Sequence, residues 1–175
     1  MIRNIVLGIY ILLAFILETT VFKNEAIFQA APNILLIITV STGFMRGKKA
    51  GMITGFLCGF LYDAIFGSII GLTALLYVLA GYIAGAFYKV FFDNNVRVPL
   101  TLVTVMDIAF NLFLYVIFFL MRGRTAFFSY IIQRILPEAV FTFIITFFLY
   151  KILYAGDRVL GAEAEERRRS HWLGS

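Results

Sequence analysis

Histidine occurs once in the chain, at His171, and cysteine once, at Cys58. A single thiol excludes an internal disulfide framework. A lone histidine, far down the C-terminal tail, excludes the HExxH zinc helix and leaves no Ser-His-Asp arrangement. No glycine-rich loop ending in Lys-Ser or Lys-Thr is there to cradle a phosphate. Charge is scarce as well: Asp, Glu, Lys and Arg make up 14% of the residues, where a soluble domain carries about 25%. What fills the chain instead is apolar, 62% of it hydrophobic, with a mean hydropathy of +0.94. A packed soluble core cannot hide that much apolar surface, so the solvent for most of the chain is lipid.

A membrane span takes roughly 20 apolar residues. Six segments qualify or nearly so, at about Ile5–Phe22, Ile34–Met45, Gly51–Phe66, Ile69–Phe92, Val98–Met121 and Tyr130–Tyr154. The second and third are short and joined by Arg46-Gly47-Lys48-Lys49, whose three charges would be costly at mid-membrane, so they read as two spans. Their continuous apolar runs lack the alternation of barrel strands, and backbone in hydrocarbon must satisfy itself, so the spans are helices. The expected fold is an all-α membrane bundle of six helices over residues 1–155, followed by a charged tail over 156–175. That tail reads as a short surface helix through Glu163–Arg169 or as disordered chain. The apolar run of the first segment is longer than a signal peptide's, which makes it an uncleaved span. With six spans, one side collects Arg3, Arg46, Lys48, Lys49, Lys89, Arg97, Lys151, Arg158 and Arg167 to Arg169, and the other Lys23, Arg122, Arg124 and Arg134. The positive-inside rule then puts both termini in the cytoplasm. The net charge of +5 reports this topology and contact with lipid headgroups rather than nucleic-acid binding.

Glycines stand at 43, 47, 51, 55 and 59, Asp63 takes the next place, and Gly67 and Gly71 follow, every step being four residues. On one helix such steps drift by only about 40°, so Gly51 to Asp63 forms a ridge without side chains that ends in a carboxylate. Ridges of this kind let helix backbones approach closely in lipid, and the aspartate on the same face is expected to point into protein. Gly67 and Gly71 read equally as turn residues. Gly71, Gly81 and Gly85 belong to the fourth span, where the last two repeat the spacing.

The remaining intramembrane polar residues fall on stripes. Thr101, Thr104, Asp107 and Asn111 share one face of the fifth span, and Arg134, Glu138, Thr142 and Thr146 one face of the sixth, beside the helix-loosening Pro137. Glu138 is placed to pair with Arg134. Glu18, near the end of the first span, is expected to reach water. Asp107 lies deepest and has no cation near it on its own helix. Three readings stay open for it: a structural hydrogen bond, a proton or ion relay, and contact with a substrate. Thr104, Asp107, Asn111, Arg134 and Glu138 together define a candidate polar pocket. No catalytic residue, metal site or cofactor is expected.

Pro32-Asn33-Ile34-Leu35-Leu36 opening the second span, Arg46-Gly47 closing it, and GFLCGFLYDAIFGSIIGLTALLYVLAGY after it resemble the bacterial rod shape-determining MreD family over about Ala31 to Tyr82. The resemblance implies a non-catalytic subunit of the cell-elongation machinery of the inner membrane, where peptidoglycan is synthesised. Its implied partners are MreC, the glycosyltransferase RodA with its class B penicillin-binding protein, and the actin-like MreB. It also implies helices arranged like the substrate-binding subunits of vitamin transporters. The leading reading is therefore a membrane scaffold that binds and positions MreC. The alternative, resting on the Thr104–Asp107–Asn111 stripe, is the substrate-binding membrane subunit of a small-molecule transporter. A lipid-handling enzyme is the weakest reading, for want of a nucleophile–base pair.

Overall fold

The computed structural model describes residues 2–20, 31–67, 69–88, 97–117 and 130–173, with side chains described within 3–158. Every regular element among them is helical: α1 (Ile2–Thr20), α2 (Ile34–Arg46), α3 (Lys48–Phe66), α4 (Leu72–Ala86), α5 (Arg97–Tyr115) and α6 (Leu136–Leu173), the last preceded by a π turn at Ile131–Ile135. Among the described residues, four stretches are long and apolar enough to cross a membrane: Arg3–Thr20, Lys48–Phe66, Arg97–Tyr115 and Ile131–Arg158. α2 and α4 are shorter apolar helices. The ends expected at Phe22, Phe92 and Met121 lie outside the described residues.

The helix ends follow from local chemistry. Asn33 caps α2, its side-chain oxygen accepting from Leu36 N–H at 3.1 Å. Between α2 and α3 there is only Gly47, at φ 87° and ψ 179°, a backbone conformation that essentially glycine alone adopts. α3 closes with Gly67 N–H donating to the Asp63 carbonyl at 3.0 Å. The fourth helix begins at Leu72 rather than Ile69, because Gly71 is left-handed at φ 97° and ends the turn there. Pro99 sits in the first turn of α5, where its missing N–H costs nothing. Before Pro137 the chain takes a π turn, with Leu136 N–H reaching back to the Ile131 carbonyl. The wider turn relieves the helix where the proline ring would crowd the carbonyl one turn earlier.

In the tail, Glu163–Arg169 is helical, as part of the last long helix rather than as a short separate one. α6 runs without a break across 155/156 to Leu173, in keeping with the strong helix formers of Ala162–Arg169.

α2 is the axis of the bundle. Every residue from Ile34 to Met45 is buried, and the helix touches all five others. At 13 residues it is about 20 Å long, short of the roughly 30 Å hydrocarbon layer. Protein rather than lipid surrounds it, so its length is free of that constraint. Contacts at both ends give the directions. Arg46 meets Asp157 while Asn33 meets Thr142, so α2 and α6 run parallel. Arg3 meets Asp157 while Glu18 meets Leu35, so α1 runs opposite to both. The long helices turn apolar side chains outward, Ile5, Ile53, Val105 and Phe148 among them, each more than half exposed. Polar side chains instead collect inside, which is the inversion expected where the surface faces lipid.

Candidate functional site

At the Asn33 end of α2, polar groups from five helices converge. Glu18 of α1, Asn33 at the α2 cap, Tyr77 of α4, Asp107 and Asn111 of α5, and Thr142 and Thr146 of α6 are all buried. The α2 N-terminus supplies unsatisfied backbone donors, and Leu35 N–H donates to Glu18 Oε2 at 3.4 Å. The Tyr77 hydroxyl donates to Asn33 Oδ1, and the Asn33 backbone N–H reaches Thr142 Oγ1 at 3.5 Å. Asn111 Nδ2 donates to Glu138 Oε1 at 3.0 Å and to its own helix at the Asp107 carbonyl, at 3.2 Å. The Asp107 carboxyl is fully buried, and neither of its oxygens has a hydrogen-bond partner among the described residues. Thr146 donates to the Thr142 carbonyl one turn away.

Of the residues read from the sequence as a polar pocket, the fold brings Asp107, Asn111 and Glu138 together. Thr104, half-buried one turn before Asp107 on α5, donates to the Leu100 carbonyl at 2.9 Å. Arg134 is in the π turn and its side chain lies outside the described residues. Pro32 and Asn33 are both buried at the start of α2. The expectation for Glu18 is corrected: the side chain is 8% exposed and engaged with α2, because the axial helix begins beside it. Tyr77 escaped the sequence reading altogether. A tyrosine in an apolar run signals nothing until its hydroxyl meets Asn33, 44 residues away.

The glycine ridge packs against α4 of the same chain. A Cβ on Gly51 would stand 2.9 Å from the Gly81 carbonyl carbon, on Gly55 2.6 Å from the Tyr77 carbonyl carbon, and on Gly59 2.8 Å from Ala74 N. Gly85 faces Lys48 and Gly47 in the same way, and Gly43 on α2 faces Gly81. Backbone therefore touches backbone across three helices, a separation that side chains would forbid. Asp63 ends the ridge as a cap: its Oδ2 accepts from Gly71 N–H at 2.8 Å and Ala74 N–H at 3.1 Å. Gly71, which starts α4, has no side chain to do this, so the carboxylate at the end of α3 supplies the cap across the turn. Gly67 sits against the Asp63 backbone at the close of α3.

A second polar cluster lies at the opposite end. Asp157 of α6 binds Arg46 of α2 through Nε at 2.7 Å and Nη2 at 2.6 Å, and Arg3 of α1 at 3.2 Å. Sequence reading counted these arginines for topology and missed that one acid gathers them, since 111 residues separate Asp157 from Arg46.

The chain matches the family described as rod shape-determining protein MreD over residues 1–155. It belongs to the MreD family. No curated protein and no solved structure matches it. Membership makes it a rod-shape-determining membrane protein acting in cell shape and elongation, and the match spans the whole of α1 to α5 and α6 as far as Ala155. Both polar clusters except Asp157 fall inside the matched region.

Proposed function

We propose that this MreD-family chain is a non-catalytic scaffold of the inner-membrane elongation complex, with both termini cytoplasmic, that binds and positions MreC. RodA with its class B penicillin-binding protein would be held on the same body, and MreB would meet its cytoplasmic surface. The observation that carries the reading is the construction of the interior. A fully buried axial helix and a backbone-to-backbone α3–α4 seam make a stiff core, and the apolar outer faces of the long helices stay open to other membrane helices. Association between such faces rests on packing and a few polar contacts of about 0.6–2 kcal/mol each, so a rigid platform matters. With the Arg3–Arg46–Asp157 end inside, the Asn33 end with its buried polar groups lies in the outer half of the bilayer.

The test is crosslinking in membranes. Single cysteines at Leu13, Phe56, Val105 and Phe148, in a chain with Cys58→Ala, sample the four outer faces against a cysteine in the transmembrane helix of MreC. Disulfides confined to one or two faces are expected. No crosslink on any face, with MreC present and the chain folded, would sink the reading.

The second reading, a substrate-binding transporter subunit built like those of vitamin transporters, is favoured by one observation: the buried Asp107 carboxyl, which has no hydrogen-bond partner among the described residues. It requires a small molecule that binds the purified chain and loses affinity in Asp107→Ala.

A further inference from the structure

Asp157 brings one negative charge to two arginines. Arg46 holds it closely, with Nε at 2.7 Å and Nη2 at 2.6 Å from Oδ1, and its Nη1 reaches the Arg3 carbonyl at 3.5 Å. All three nitrogens of Arg46 are thereby engaged. Arg3 stands further off, with Nη2 alone at 3.2 Å from Oδ1 and 3.4 Å from Oδ2. Its Nε and Nη1 have no hydrogen-bond partner among the described residues, and its side chain is 38% exposed. The trio carries one positive charge in excess, and the excess sits on the guanidinium that still has donors to give.

Beside this clasp a cleft opens between α1, α2 and α6. Arg46 and Asp157 form its charged edge, and Val6, Leu7 and Leu153 its apolar wall. Its enclosed part is about 10 Å³, room for one oxygen-sized group. Gly156 helps to keep it open, since a Cβ there would stand 3.1 Å from the Tyr10 hydroxyl, which also lines the cleft. Arg3 opens the first membrane-crossing stretch, so the cleft lies where hydrocarbon gives way to headgroups. On the bordering helices Ile9 and Ile152 face outward, each at least half exposed, so apolar surface adjoins the charged end.

We propose that this cleft binds the headgroup of an anionic glycerophospholipid. One oxygen of its phosphate diester enters beside the Tyr10 hydroxyl, and Arg3 donates to the phosphate from a nitrogen that Asp157 leaves free. The acyl chains lie on the apolar outer faces of α1 and α6. A free phosphate would find too little here, with one arginine and space for a single oxygen. A lipid is already held at this depth by its chains, so a few contacts suffice to select its headgroup. A zwitterionic headgroup would bring a second cation to a clasp that has one in excess, whereas an anionic one brings the complementary charge. The site also has a structural use. α1 is the least buried of the four long stretches, and a lipid seated between it and α6 would fasten it where little protein does. This inference is independent of whether the protein acts as a scaffold or a transporter.

The test uses purified full-length protein in detergent, with dioleoyl-phosphatidylglycerol, dioleoyl-phosphatidylcholine or inorganic phosphate added. Native mass spectrometry counts the lipids retained, and thermal unfolding reports stabilisation. One phosphatidylglycerol per chain is expected to stay bound and to raise the unfolding temperature, while phosphatidylcholine and phosphate do neither. Arg3→Gln removes the donor and Gly156→Leu fills the cleft, so each should weaken phosphatidylglycerol binding at least about tenfold. Lys49→Gln removes an exposed cation at the same end but outside the cleft, and should leave binding unchanged. Should both cleft variants unfold, the wild type's choice among the three additions and the behaviour of Lys49→Gln still decide. Equal retention of the two lipids would overturn the proposal. So would a loss in Lys49→Gln as large as the loss expected of Arg3→Gln, which marks a diffuse surface charge. Stabilisation by inorganic phosphate as strong as by phosphatidylglycerol would make the site one for a soluble anion and overturn it as well.

Discussion

Asp63 illustrates how much one side chain can carry in a membrane helix. Its carboxylate serves two donors at the start of α4 that Gly71 leaves open. Removing the oxygens in Asp63→Ala should cost about 1 kcal/mol, the usual value of an N-cap, whereas Asp63→Asn keeps an acceptor and should cost less. Thermal unfolding of the purified protein separates the two, and equal losses would show that charge rather than capping matters. The sequence revealed that Asp63 faces protein, because its four-residue spacing from Gly59 put it on the ridge. It could not reveal the cap, which depends on a left-handed turn at Gly71. The four-residue spacing also takes in Gly47, Gly67 and Gly71, which the sequence left outside the ridge, the last two open between packing and turn chemistry. In the fold they are a joint, a helix end and a turn, because a four-residue period is only informative while the helix continues.

The α3–α4 pair is held by an absence of side chains. Gly55→Leu and Gly59→Leu would drive atoms into the Tyr77 and Ala74 backbones, and both helices also pack against α2. Both variants are expected to lose the folded monomer in size-exclusion chromatography. Phe56→Leu, on the outward face of the same helix, should stay within about 0.5 kcal/mol of the parent. Folded Gly59→Leu protein would mean that the seam is softer than its geometry implies. At the other end, Asp157 ties α6 to α1 and α2. Its contacts with Arg46 are short and partly shielded, with side-chain exposures of 13% and 16%, so Asp157→Ala should cost about 1–3 kcal/mol. Faster hydrogen exchange around residues 153–158 would report it, and unchanged exchange would mean that packing alone holds α6 there. Helix number and most boundaries were legible because apolar runs and glycine breaks are local signals. The clasp and the Asn33 cluster were not, since each joins residues more than a hundred positions apart.

At the scale of the molecule, the arrangement is inside out: apolar faces outward, polar groups within. The orientation proposed for it is open to a direct check. In a chain with Cys58→Ala, a cysteine placed at Ile70, in the exposed turn before α4, should react in intact cells with a maleimide that cannot cross the membrane. A cysteine at Lys49, in the exposed first turn of α3, should not react until the membrane is opened. The reverse pattern would invert the protein and move the Asn33 cluster to the cytoplasmic half. Composition alone identified the solvent as lipid, since no soluble fold could bury 62% hydrophobic residues in a chain of this length. Which helix would occupy the middle was hidden, because α2 is apolar on every side and so are its neighbours.

That central position carries a consequence for the order in which the protein is made. α2 leaves the ribosome second, yet α6, one of the helices that enclose it, leaves last. Until then a helix of about 20 Å, too short to match the bilayer, has one flank turned to lipid and its Asn33 end unmet by Thr142. The newborn chain is therefore unfinished at its axis for as long as translation continues, and ribosomes that stop before α6 would release a body open at its centre.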